Sequence, residues 1–167
     1  MLKKINQKIL NLMLENSRLS FREIAKKLKV SVVTIIKHVK DMQENEIISN
    51  YSVDIDYEKL GYDVVAIVDL RITKGKLFEV EKKVATMKNV FAVYDVTGGY
   101  DCVVIAKFKS RKSLDGFLKK IQSFDFIERT NTKLVLNTIK EKNIEVDIWI
   151  MIIWVLVFKL ISDSALG

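Results

Sequence analysis

The chain has 167 residues, 49% apolar and 29% charged, the balance of a folded globular protein with room for one full domain or two small ones. Its 28 Lys/Arg outweigh 21 Asp/Glu, and the net charge of +7 points to a polyanionic partner. The single cysteine, Cys102, excludes an intrachain disulfide framework and fits a reducing cytoplasm, and no secretory signal, low-complexity tract or solenoid-period repeat is present.

Ile5, Ile9, Leu12 and Met13 predict an amphipathic helix over residues 3–16. Ser20-Phe21-Arg22-Glu23 has the form of a capping box, in which hydroxyl and carboxylate satisfy each other's orphan amides. Phe21, Ile24, Ala25 and Leu28 then recur at helical spacing. Lys29-Val30 turns the chain and Ser31 can cap a third helix. There Ile35, Val39 and Met42 form one stripe. At about 100° per residue, Val33, Lys37 and Lys40 lie on the far side. A core stripe backed by a basic face suits a helix that sits on a small bundle and enters a DNA major groove.

Solvated lysines on a small bundle are the alternative. Two details favour DNA. Val33 is apolar and in the first turn, where an aliphatic group can meet a thymine methyl. The charge is also uneven, since residues 1–50 hold ten Lys/Arg against five Asp/Glu. The expected DNA-binding residues are Ser31, Val32, Val33, Ile36, Lys37, His38 and Lys40. His38 lies on the helix flank, as a phosphate contact or a solvated group.

Tyr51-Ser52-Val53-Asp54-Ile55-Asp56 alternates and predicts a connecting strand. Tyr57 to Tyr62 is a connector containing Gly61. Beyond it, Val64 to Ile72, Val90 to Val96, Cys102 to Phe108 and Glu128 to Leu136 predict four strands. Two helices fall between them, one marked by Leu77, Val80, Val84 and Met87, the other by Leu114, Phe117, Leu118 and Ile121. The order βαββαβ is ferredoxin-like, so the fold class is α+β. The expected organisation is a helix-turn-helix domain at 1–50, a connecting strand and linker at 51–62, the βαββαβ domain at 63–142 and an extension at 143–167.

Two helices can cover one sheet face. On the other, Val65 and Ile67 oppose Ala66 and Val68, Ala92 and Tyr94 oppose Phe91 and Val93, and Val103 and Ile105 alternate with Val104 and Ala106. Both faces are therefore apolar near the centre. A large uncovered patch marks an interface. A homodimer packed sheet to sheet would also supply paired DNA helices.

The ordered set Arg22-Glu23-Ile24-Ala25-Lys26-Lys27-Leu28, Ser31 with Val39 and Met42, Ile47-Ile48, Leu60-Gly61-Tyr62 and Thr97-Gly98-Gly99-Tyr100-Asp101 resembles the Lrp/AsnC (feast/famine) transcriptional regulators, over about residues 2–140. The resemblance implies a sequence-specific DNA-binding regulator. It also implies dimers assembling into larger even-numbered rings, with a free amino-acid effector bound between dimers. Carried over, Gly98, Gly99 and Tyr100 would offer amides to a carboxylate, and Asp101 would meet an ammonium. Glycine allows that close approach and successive amides form an anion nest. A plain hairpin, with glycines present only for positive φ, is the alternative. Lys29 and Glu46 stand where the family has helix-ending glycines, and Asn45 is expected to take the left-handed role in place of Glu46. Val32, Val33 and Ile36 make the reading helix unusually apolar.

Ile148 to Phe158 is an unbroken apolar run beyond the usual end of the family. It is short of the roughly 20 residues of a membrane span. Packing on the body or a partner, or dispensability, is expected, and membrane anchoring is the alternative.

No catalytic constellation is visible. His38 is the sole histidine, Cys102 begins an apolar strand, and no Cys/His cluster suits a metal. No enzyme activity, cofactor or metal is expected. Sirohaem decarboxylases resemble this architecture, but would be expected to offer histidines and arginines to the tetrapyrrole in the βαββαβ domain, and here that domain has no histidine and only Arg71, Arg111 and Arg129. An RNA-binding module of the same topology would need stacking aromatics on its open face, which Phe91 or Tyr94 amid aliphatics supplies poorly.

Overall fold

Residues 3–146 are described by a computed structural model, in which they divide into two units, each with its own core. The first holds α1 (Lys4–Glu15), α2 (Phe21–Leu28) and α3 (Val32–Glu44). Ile9, Ile24, Ala25, Ile35, Val39 and Met42 are buried where the three apolar stripes meet. Each fully buried aliphatic side chain contributes about 1.5–3 kcal/mol. Residues 141–146 pack with this unit, and Val146 lies against its core.

Both helix-ending positions flagged in the sequence adopt left-handed backbone, Lys29 at φ 55° and Glu46 at φ 56°. The expectation that Asn45 would replace Glu46 is overturned, because Asn45 has φ −93° and ψ 14°. The reason is in the hydrogen bonds that close α3. Ile47 and Ile48 both return their amides to the Met42 carbonyl, which requires the reversal at residue 46. Asn45 instead donates its side-chain amide to the Asp41 carbonyl at 2.7 Å.

The second unit runs from Asp54 to Lys140. It contains a 3-10 turn (Glu58–Leu60), β1 (Val64–Ile72), α4 (Leu77–Ala85), β2 (Val90–Asp95), β3 (Cys102–Phe108), α5 (Arg111–Gln122) and β4 (Ile127–Leu134). The sheet is antiparallel in the order β2-β3-β1-β4, which is the ferredoxin-like arrangement. Ala66, Val68, Leu70, Val104, Ala106 and Phe108 face α4 and α5, and are buried with Val80, Val84, Phe117 and Ile121.

No strand forms at residues 51–56. A strand exists only as part of a ladder, and among the described residues this segment has no partner. Its apolar residues Tyr51, Val53 and Ile55 are left exposed.

A bulge between Val90 and Ala92 corrects the strict alternation read for β2. Val93 opposite Val104 faces the core, and Ala92 and Tyr94 opposite Ile105 and Val103 face outward. Phe91 falls in the bulge, and its ring meets the Lys107 ammonium at 4.7 Å. The same ammonium lies 4.7 Å from the Tyr57 ring, which fastens the connector to the sheet. The outward face carries Val65, Ile67, Val103 and Ile105, all half-buried. Asp69, Arg71, Arg129, Asn131 and Lys133 continue it as a polar band.

Residues 147–167, including the apolar run at 148–158, lie outside the described residues. Among the described residues, no helix is long and apolar enough to cross a membrane.

Candidate DNA-binding face and effector turn

The helix-turn-helix is set by two serine caps. Ser20 Oγ accepts from the Glu23 amide at 3.3 Å, and a Glu23 carboxylate oxygen accepts the Ser20 amide at 2.7 Å, completing the capping box. The Ser20 hydroxyl and amide together hold the Glu23 carboxyl below its usual pKa. Ser31 Oγ accepts from the Thr34 amide at 3.1 Å and shares a 2.8 Å hydrogen bond with the Thr34 hydroxyl. Each such cap contributes about 1 kcal/mol. The left-handed Lys29 ends α2 ahead of α3.

On α3, Val33 is 75% exposed and Ile36 46%. Lys37 and Lys40 are exposed beside them. Lys40 is 3.6 Å from Glu44, a solvated i,i+4 pair, whereas Lys37 has no ion-pair partner among the described residues. Ser31 is exposed at the N-terminus of the helix, and His38 is half-buried on its flank. Six of the seven residues singled out from the sequence therefore lie on or beside the open face. Val32, the seventh, packs half-buried against the helical core.

Between β2 and β3, the Val96 amide donates to the Asp101 carbonyl at 3.0 Å and closes the Thr97–Tyr100 loop. Gly98 has φ 118°, which favours glycine, and Gly99 does not have positive φ. The amides of Gly98, Gly99 and Tyr100 find no acceptor among the described residues.

Asp101 is more engaged than its sequence position suggests. Its amide donates to the Leu70 carbonyl at 2.9 Å. Its Oδ2 accepts the Ile72 amide at 2.8 Å, and its Oδ1 lies 3.5 Å from Arg71 Nη1. Arg71 Nη1 also donates to the Gly99 carbonyl at 3.3 Å. Arg71, which the sequence did not place at the turn, thus ties it to β1. Nothing short of the β1–β3 register could have revealed it.

Burial acts on two other ionisable groups, with opposite outcomes. Burial works against the charge of Asp69, yet the Lys133 ammonium at 2.7 Å and the Asn131 amide at 2.8 Å outweigh it and lower its pKa. Burial, then the charges of Glu81 and Asp95, push the Cys102 thiol up to about 12. No group of three or more His, Cys, Asp or Glu among the described residues can hold a metal.

Known proteins share the two-unit architecture. The profile of the Lrp/AsnC ligand binding domain matches residues 65–144, and that of a winged helix-turn-helix DNA-binding domain matches residues 2–49. An uncharacterised HTH-type transcriptional regulator of Pyrococcus furiosus is 46% identical over 82% of this chain and 93% of its own. The HTH-type transcriptional regulator Ptr1 of Methanocaldococcus jannaschii is 37% identical over 84% and 96%. Escherichia coli AsnC superposes with a TM-score of 0.81 at 26% identity, over 87% of this chain and 99% of its own. A Neisseria meningitidis regulator solved with L-Met superposes with a TM-score of 0.80 at 21% identity, over 88% and 97%, a likeness of fold. The chain belongs to the Lrp/AsnC family of transcriptional regulators.

Proposed function

We propose that the chain regulates transcription in the cytoplasm by placing α3 in the major groove of double-stranded DNA, as a dimer, under the control of a free amino acid. The observation that carries the DNA reading is the division of α3. Ile35, Val39 and Met42 are buried, while Val33, Ile36, Lys37 and Lys40 stand open on the other side. Phosphate contacts from the lysines supply affinity, and the aliphatic pair supplies contact with thymine methyls. Ser31 lies at the helix N-terminus, where its partial positive charge favours a phosphate.

The dimer reading rests on the open sheet face and on residues 51–56. Half-buried Val65, Ile67, Val103 and Ile105 form an apolar patch that a second copy would cover. Residues 51–56 retain an alternating pattern that a second copy could pair with. The effector reading rests on the unengaged amides of Gly98, Gly99 and Tyr100 beside Asp101, and the L-Met complex of the Neisseria regulator supports it. Asp101 keeps lone pairs beyond those used by Ile72 and Arg71, enough to accept an ammonium.

Selection of genomic DNA by the purified protein, with and without each of the twenty amino acids, tests both parts. A recurring pseudo-palindromic sequence whose recovery shifts with one amino acid or a few is expected. Recovery of random fragments alone would refute sequence-specific binding, and indifference to every amino acid would refute the effector.

A further inference from the structure

Arg71 and Arg129 are directly opposite each other on β1 and β4, at the last regular pair before the bulge at Ile72. Opposed residues of antiparallel strands share a face, with Cβ atoms roughly 5 Å apart. Both side chains are therefore on the open face, and both are exposed. Two like charges so placed repel each other unless an anion lies between them.

The chain supplies little of that anion itself. Asp69, one pleat away on β1, is taken by Lys133 and Asn131. Asp101 reaches only Arg71, at 3.5 Å, and its other oxygen is held by the Ile72 amide. The Arg129 side chain has no hydrogen bond or ion pair among the described residues. The pair also adjoins the turn, since Arg71 holds the Gly99 carbonyl.

We propose that Arg71 and Arg129 form a carboxylate site, and that the effector is an acidic amino acid whose side-chain carboxylate is held there while the turn takes its α-groups. The proposal rests on the effector reading above and adds the class of ligand. A guanidinium fork matches a carboxylate in two parallel hydrogen bonds, a geometry lysine cannot offer. Arg71 spends one nitrogen on the turn and keeps further donors free. Arg129, whose side chain has no partner among the described residues, is the selective half of the pair.

Calorimetry on the full chain, with L-Glu, L-Asp, L-Gln, L-Asn and L-Met as ligands, tests this. The native protein is expected to bind L-Glu or L-Asp roughly tenfold or more tightly than the matching amide, the scale of one hydrogen bond to a charged group. Arg129→Gln should erase that preference without weakening the amide, and Arg129→Lys should retain part of it. Equal affinity for L-Glu and L-Gln, unchanged in Arg129→Gln, would overturn the carboxylate site and leave the amino-acid effector standing. No heat with any of the five would overturn the carboxylate site, while the effector reading falls only if all twenty amino acids fail. If Arg129→Gln instead turns dimers into monomers while discrimination survives, Arg129 is an intersubunit contact and the proposal fails.

Discussion

Asn11 grips the backbone of Val146 with both ends of its side-chain amide. The Val146 amide donates to Asn11 Oδ1 at 2.9 Å, and Asn11 Nδ2 donates to the Val146 carbonyl at 3.2 Å. Gln7 Nε2 reaches the same carbonyl at 2.7 Å. A side-chain amide thereby plays the part of a strand partner for a residue 135 positions away. Each bond contributes about 0.5–1.5 kcal/mol. Asn11→Ala should cost the helical unit about 1–2 kcal/mol in urea unfolding and speed tryptic cleavage at Lys140 and Lys142 several-fold. Cleavage at the native rate would mean that residues 141–146 are held by other contacts.

The two left-handed helix ends are places where the chain can be improved. An L residue in that conformation costs about 1–2 kcal/mol, and glycine escapes this at a loss of roughly 0.5–1 kcal/mol in chain entropy. Lys29→Gly and Glu46→Gly should each raise stability by about 0.5–1 kcal/mol, seen as a higher melting temperature. Asn45→Gly, at φ −93°, should not, because it gains no relief and loses the hydrogen bond to Asp41.

Cys102 is fully buried, with its thiol raised to about 12 by burial and by the nearby Glu81 and Asp95. At pH 8 the native protein should resist iodoacetamide, and the chain unfolded in guanidinium should be labelled fully. Below the ordinary thiol value of 9.0 the thiol is neutral in both states and the shift has no effect on stability; as pH rises from there toward 12 only the unfolded chain ionises, and stability falls. Labelling of native protein at the unfolded rate would place the thiol in water.

What could be read from the sequence was local. Ser20 and Glu23 satisfy each other within four residues, and Ile35, Val39 and Met42 mark the buried side of α3 by period alone. The four strands and two helices of the second unit followed from runs of β-branched residues broken by glycine. The misreadings depended on partners far along the chain or absent from it. Phe91 leaves the alternating pattern because β2 bulges against β3. Residues 51–56 carry a strand pattern with nothing among the described residues to pair with. Asp101 looked free because Ile72 and Arg71, which hold it, are about 30 residues away, and the opposition of Arg71 to Arg129 exists only once the β1–β4 register is known.

Lys37 and Lys40 share the open face of α3 but differ in company. Lys37 has no ion-pair partner among the described residues, and Lys40 shares its charge with Glu44 across 3.6 Å. Such exposed pairs contribute no more than about 1 kcal/mol, so Lys40 can leave Glu44 for a phosphate. Lys37→Ala should weaken operator binding by about 1–3 kcal/mol if it reads a base. If it touches only phosphate, affinity should fall evenly on all sequences, with a salt slope smaller by about one. Lys40→Ala should cost less than Lys37→Ala. Unchanged affinity for operator and random DNA in both variants would remove α3 from the interface.

The open sheet face offers the sharpest test of assembly. Ile67 lies at its centre, opposite Ile105 on one side and Lys133 on the other, and is only half-buried within one chain. A carboxylate there stays solvated in the monomer, so Ile67→Asp should fold with little loss of stability. In a sheet-to-sheet dimer the same carboxylate would be buried, facing apolar groups of the second copy, which costs several kcal/mol unless it is paired. Lys133 is already committed to Asp69 and offers little relief. Ile67→Asp should therefore halve the mass, or lower it further if larger rings form, as read by light scattering. DNA affinity should fall with it, since a monomer presents one reading helix instead of two. A variant that keeps the native mass, or a native chain that is itself monomeric, would show that the apolar half of this face is covered by something other than a second copy.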